Sequence, residues 1–119
     1  MRMNALHNCK NPFQGEAKKV LCVCSAGLLR SPTLANVLHK EFDYNTRSCG
    51  VHDYALIQYE HVLGEWADEI VAVNRDIAYF LPEIIPEKLT VLDIPDDYEY
   101  MNPELQKLCL EQYKEQHNG

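Results

Sequence analysis

The sequence predicts a single α/β domain, a parallel sheet with helices packed against it. Three observations carry this expectation. Four short apolar segments alternate with stretches of helical periodicity, the pattern of parallel strands joined by right-handed crossovers. The 119 residues are enough for one hydrophobic core and too few for two. The first apolar segment, Val20 to Val23, is apolar at every position, as expected of a strand covered on both faces.

Residues 1–18 are polar and aperiodic, with Asn-Pro and Gln-Gly turn signals, and read as an N-terminal extension to a domain spanning 19–119. After the first strand and a loop of small residues, Leu34, Val37, Leu38 and Phe42 mark one face of a helix that tolerates Pro32 in its first turn. Thr46 to Val51 forms a second strand. Leu56, Tyr59, Val62, Leu63 and Trp66 give a second helical stripe, closing near Gly64. Glu69 to Val73 is a third strand, followed by a short helix through Ile77, Phe80 and Leu81 that Pro82 stops. Leu89 to Leu92 is the fourth strand. Asn102 and Pro103 read as N-cap and first residue of a last helix, with Leu105, Leu108, Cys109 and Gln112 on one face. In such a sheet the loops after the strands' C-terminal ends carry function, which directs attention to the residues after Val23 and after Leu92.

Composition excludes several classes of partner. A formal charge of -7 disfavours nucleic acid, whose phosphates require clustered Lys and Arg, and disfavours an anionic membrane surface. No apolar run approaches the roughly 20 residues of a spanning helix, and the N-terminal segment lacks the apolar core of a signal peptide. A cytoplasmic location is the default expectation. The 5 cysteines are odd in number and scattered, unlike a disulfide framework, and are expected to be reduced. No cofactor or metal is expected, since His7, Cys9, Cys22 and Cys24 lack the usual spacing of zinc ligands.

The loop after the first strand reads Cys24-Ser25-Ala26-Gly27-Leu28-Leu29-Arg30-Ser31-Pro32. Backbone N–H groups entering a helix N-terminus converge where the dipole is positive, which makes an anion site. Neither the Walker nor the dinucleotide glycine pattern is present. Instead the loop begins with a cysteine and ends with an arginine. Such a cysteine is expected to have its pKa lowered to roughly 3.5–7.5 and to act as a thiolate nucleophile. Arg30 can hold two phosphoryl oxygens in a bidentate fork. Ser31 can donate to the thiolate or cap the helix. Departure of an alcohol from phosphorus also needs a general acid, and the segment "DIPDDYEY" offers Asp93, Asp96 and Asp97 at the same sheet edge. The acid can later activate water to hydrolyse a phosphocysteine.

The loop "CSAGLLRSP" resembles the C-x5-R-S-P signature of the low-molecular-weight protein tyrosine phosphatases. "RSCG", "WADEIVAVN" and "DIPDDYEY" are similar to that family's second strand, third strand and acid loop. The resemblance runs from about Lys19 to the last helix. It implies a four-stranded parallel sheet in order 2-1-3-4 with helices on both faces and a phosphate-binding loop after strand 1. It also implies hydrolysis of phosphotyrosine or related aryl phosphates through a phosphocysteine. By position, Cys24 is the nucleophile, Arg30 the phosphate clamp, Ser31 the thiolate's partner and Asp96 the general acid. Ser25, Ala26, Gly27, Leu28 and Leu29 line the phosphate, and Tyr98 and Tyr100 wall the pocket.

The chain departs from the family at four places. Gly27 stands where the family has Asn, Leu29 where many members have a second cysteine, and Asp97 where a proline usually follows the acid. The connection between the second and third strands is also short, so a rim that recognises substrate is reduced. Two other functions compete. An arsenate reductase needs further cysteines to relay a disulfide; Cys49 and Cys109 are far apart in sequence, although Cys49 ends the neighbouring strand. A non-catalytic phosphocysteine carrier or phosphate-binding module would take up phosphate once without turnover.

Overall fold

The computed structural model describes residues 8–9, 17–25, 30–52, 55, 58–81, 86–95, 97–99 and 101–118. Its strands are β1 (Asn8–Cys9), β2 (Lys19–Cys24), β3 (Asn45–Gly50), β4 (Glu69–Ala72) and β5 (Leu89–Val91). Its α-helices are α1 (Arg30–Phe42), α2 (His61–Trp66), α3 (Arg75–Tyr79) and α4 (Pro103–Asn118), with a 3-10 turn at Pro86–Lys88.

Strands β2 to β5 pair in parallel, in the spatial order β3-β2-β4-β5, which is the expected 2-1-3-4. The uniform apolarity of β2 follows from this position. It is central, and Val20, Leu21, Cys22 and Val23 have no exposed surface, each large side chain contributing about 1.5–3 kcal/mol by burial. The chain leaves β2 toward β3, then crosses back to β4 on the other side. Right-handed crossovers therefore put α1 on one face and α2 and α3 on the other. Helix α4 joins α1. The end of β2 is the point where the strand order reverses, the place where sheets of this kind carry their sites.

One element was not foreseen. Asn8–Cys9, within the segment read as an extension, pairs antiparallel with β3 and adds a fifth strand at that edge. Two helices also differ from the periodicity. Helix α2 runs through Gly64 instead of closing there, and the glycine serves close packing, since a Cβ at this position would fall on the Tyr59 hydroxyl. Helix α3 ends at Tyr79, so Phe80 leaves the stripe begun by the buried Ile77 and lies exposed.

At the N-terminal end of the sheet, Glu69 binds α4 to the core. Its Oε1 accepts from Tyr113 Oη at 2.7 Å and pairs with Lys18 Nζ at 2.8 Å. Its Oε2 accepts from Thr90 Oγ1 at 2.5 Å and meets His117 Nε2 at 2.8 Å. Burial alone would raise the Glu69 pKa, but the hydrogen bonds from Lys18, Thr90 and Tyr113, with the charge of Lys18, hold it below the usual carboxylate range. No helix among the described residues is long and apolar enough to cross a membrane.

Candidate active site

Cys24 closes β2 at the switch point. Backbone bonds hold the strand end from both sides: Val51 N donates to Cys24 O at 3.1 Å, His52 N to Ser25 O at 3.1 Å, and Val73 N to Val23 O at 3.0 Å. The nucleophile candidate is thus set on the rigid sheet, 2% exposed. Positions Ala26, Gly27, Leu28 and Leu29 lie outside the described residues, as do Asp96 and Tyr100.

Helix α1 then begins on a cation. A positive side chain at a helix N-terminus opposes the dipole by roughly 0.3–1 kcal/mol, and Arg30 is also only 5% exposed. The two positive ends together suit an anion. Arg30 is oriented by protein acceptors: Nη1 donates to Ile94 O at 3.0 Å and Nη2 lies 3.5 Å from Ser25 Oγ. Ser31, fully buried, places its Oγ 3.1 Å from Cys24 Sγ and 3.3 Å from Cys49 O. One hydroxyl carries one proton. With a Cys24 thiol, S–H can donate to Ser31 while Ser31 donates to Cys49 O; with a thiolate, the hydroxyl can turn to sulfur. The structure therefore brings Cys24, Ser25, Arg30 and Ser31 together.

The acid loop after β5 reaches the same edge. Leu92 N donates to Ala72 O at 2.9 Å and Ile94 N to Val73 O at 2.8 Å, extending the ladder past the strand. Gln112 in α4 grips Asp93 twice, with Asp93 N donating to Oε1 at 2.6 Å and Nε2 donating to Asp93 O at 2.8 Å. At the far end Met101, in the left-handed region at φ 57, donates its N–H to Thr33 Oγ1 at 3.2 Å. Asp93 and Asp97 have exposed side chains, while Tyr98 is half-buried and packs against the core. Gln112, Thr33 and the Ile94 carbonyl were not singled out from sequence. Gln112 had appeared only as part of a helical stripe, and a carbonyl has no side-chain signature.

Cys49 pairs with Val23 and Cys24 with Gly50, so the pleat puts the Cys49 side chain on the face opposite to that of Cys24. Burial, and then the charge of Cys24, push the Cys49 pKa up and keep it a thiol. Burial pushes Cys109 up to about 12. Cys22, Cys24, Cys49 and Cys109 are all buried thiols.

No family model and no curated protein matches the sequence. Solved structures do match in fold. The tyrosine phosphatase AmsI of Erwinia amylovora superposes with a TM-score of 0.67 at 17% identity, over 89% of this chain and 95% of that one. The tyrosine phosphatase Wzb of Escherichia coli K30, in complex with phosphate, gives 0.66 at 17% identity, over 83% and 95%. A low-molecular-weight phosphotyrosine phosphatase of Vibrio cholerae O395 gives 0.58 at 23% identity, over 78% and 88%. The fold of this chain is that of the low-molecular-weight tyrosine phosphatases.

Proposed function

We propose that this chain is a phosphatase that hydrolyses phosphotyrosine or related aryl phosphate monoesters through a phosphocysteine on Cys24. The observation that carries the reading is the approach of Ser31 Oγ to Cys24 Sγ at 3.1 Å, beside a buried arginine at the start of the same helix. A hydroxyl donor and a guanidinium serve a sulfur that must carry negative charge and an anion held above it. The fold neighbours named above, one with phosphate bound, support the same chemistry.

In this mechanism the backbone N–H groups of Ser25, Ala26, Gly27, Leu28 and Leu29, with the Arg30 fork, hold the phosphoryl oxygens. Tyr98 and Tyr100 flank the aryl group. The Cys24 thiolate attacks phosphorus, the P–O bond to the aryl group breaks, and its electron pair takes a proton from Asp96. The Asp96 carboxylate then removes a proton from water as the water oxygen attacks phosphorus. The P–S bond breaks, its electrons return to sulfur, and Ser31 donates to the thiolate re-formed. A reductase relay through Cys49 is disfavoured by its position on the opposite face and by its protonation. Buried thiols suit a reducing compartment.

The test is steady-state hydrolysis of p-nitrophenyl phosphate and of a phosphotyrosyl peptide. Wild-type protein should turn over repeatedly and Cys24→Ser should not; substantial turnover by the variant would displace the nucleophile. Among Asp93→Asn, Asp96→Asn and Asp97→Asn, only Asp96→Asn should cost roughly 10²–10⁴-fold on phosphotyrosine, and less on p-nitrophenyl phosphate, whose leaving group departs as its anion. A steep leaving-group dependence at Asp93 or Asp97 instead would reassign the acid.

A further inference from the structure

Among the described residues, the large hydrophobic side chains that stand exposed are consecutive: Tyr79 at 90% and Phe80 at 59%. Single exposed apolar residues are ordinary, whereas two adjoining aromatic rings offer a larger apolar area to a contact. These two lie at the active-site edge of the sheet. Helix α3 starts there, directly after the strand end that bonds to Val23, with Asn74 Oδ1 accepting from Ile77 N at 2.9 Å as its N-cap. The helix ends after one turn. Phe80 N donates to Ile77 O at 3.0 Å, and the Phe80 ring meets His52 edge-on, with centroids 5.7 Å apart and planes at 65°. The His52 backbone N–H donates to Ser25 O, one residue from the nucleophile candidate, which places its ring next to that strand end. The Phe80 ring thus rests on a residue whose backbone is bonded next to Cys24, and a ring contact of this kind lowers the entropy cost of a further contact.

We infer that Phe80, braced on His52 and flanked by Tyr79, is a specificity surface that takes an apolar side chain adjoining the phosphorylated residue of a peptide substrate. The inference rests on the phosphatase reading. Its occupant is apolar because the surface offers aromatic rings, and because Asp93, Asp97 and Glu99 are exposed in the loop after β5, which leaves the same C-terminal edge of the sheet. An acidic neighbour would meet like charge there. The surface also explains how a short connection between β3 and β4 leaves the site with a recognising wall: the wall comes from the next crossover, at the end of α3.

The experiment measures binding of two fluorescein-labelled phosphotyrosyl peptides by anisotropy, one with leucine on both sides of the phosphotyrosine and one with glycine there. Cys24→Ser protein is used so that neither peptide is consumed. A preference of about tenfold for the leucine peptide is expected. It should vanish in Cys24→Ser/Phe80→Ala and persist in Cys24→Ser/Phe80→Tyr. Because Phe80 is already exposed, these variants are expected to fold, and thermal melts verify it. Equal binding of the two peptides, or a preference that survives Phe80→Ala, overturns the specificity surface and leaves the phosphatase reading standing. A Phe80-dependent dimer in sedimentation without any peptide preference overturns it in favour of self-association. Failure of both peptides to bind overturns the phosphatase reading with it.

Discussion

Ser31→Ala tests the site at its most defined contact. The substitution removes a hydroxyl that is fully buried and 3.1 Å from Cys24 Sγ, so no bulk water takes its place. A hydrogen bond to a charged group contributes about 1.5–3 kcal/mol, which is roughly 10- to 150-fold in a rate constant. The loss falls unequally on the two chemical steps. Without its donor the thiolate is a better nucleophile and a worse leaving group, so formation of the phosphocysteine is spared and its hydrolysis slows. With p-nitrophenyl phosphate in a stopped-flow instrument, the variant should release about one p-nitrophenol per enzyme in a burst, followed by slow turnover. KM should fall with kcat, leaving kcat/KM near wild type. Where Cys24 is a thiol, it is the Cys49 carbonyl at 3.3 Å that loses this donor, at about 1 kcal/mol of stability, which a thermal melt reads separately. If kcat and kcat/KM fall together without a burst, the hydroxyl acts in the first step and the reasoning is wrong.

Arg30→Lys keeps the charge but loses both the fork and the bond to Ile94 O, so kcat/KM should fall roughly 10²–10³-fold; a near-wild-type lysine variant would remove the clamp. Gln112→Met keeps the volume and deletes the two bonds to Asp93, loosening the acid loop. Turnover of phosphotyrosine should drop roughly five- to tenfold with little change on p-nitrophenyl phosphate, whereas equal losses on both would place the effect in the phosphate loop. Glu69→Gln removes a carboxylate held below its usual pKa, so its contribution is complete above about pH 4.3 and lost as pH falls through the folded value. Melts should show a deficit of roughly 10 °C at neutral pH that closes in acid; a deficit constant with pH would contradict the linkage.

Much of the fold is legible in sequence because its signals are local. Val20 to Val23 announces a doubly covered strand, and Asn102-Pro103 announces the start of α4, where Asn102 Oδ1 accepts from Glu104 N at 2.8 Å. The two-residue β1 carries no periodicity that could be read, since its pairing is decided by the open edge of β3. Gly64 serves the close approach of the Tyr59 hydroxyl and not a helix end, which is a tertiary fact. At the site, Cys24, Arg30 and Ser31 are legible because their spacing along one loop and helix start is itself the signal. Gln112 and Thr33 are not, because each serves a backbone group distant in sequence: Asp93 from α4, and Met101 from α1.

The spacing of Arg30, Ser31 and Thr33 has a geometric reason. Successive residues of an α-helix are turned by about 100°, so Arg30 and Thr33 share a side and Ser31 points away from both. The shared side meets the acid loop at its two ends, Arg30 at Ile94 O and Thr33 at Met101 N. The turned-away Ser31 meets the sheet, at Cys24 Sγ and Cys49 O. One helical turn thus sets the loop after β5 and Cys24 in register with each other. The register of the turn is fixed in its own right by Leu34 and Leu38, both without exposed surface, and by Thr46 Oγ1, which donates to Ala35 O at 2.8 Å. A rotation of α1 by one residue would move every one of these contacts at once. The same buried stripe that packs α1 on the sheet is therefore what aims the guanidinium, and a core substitution such as Leu34→Ala, costing about 2–5 kcal/mol, should be felt in kcat/KM at temperatures where the protein is still folded.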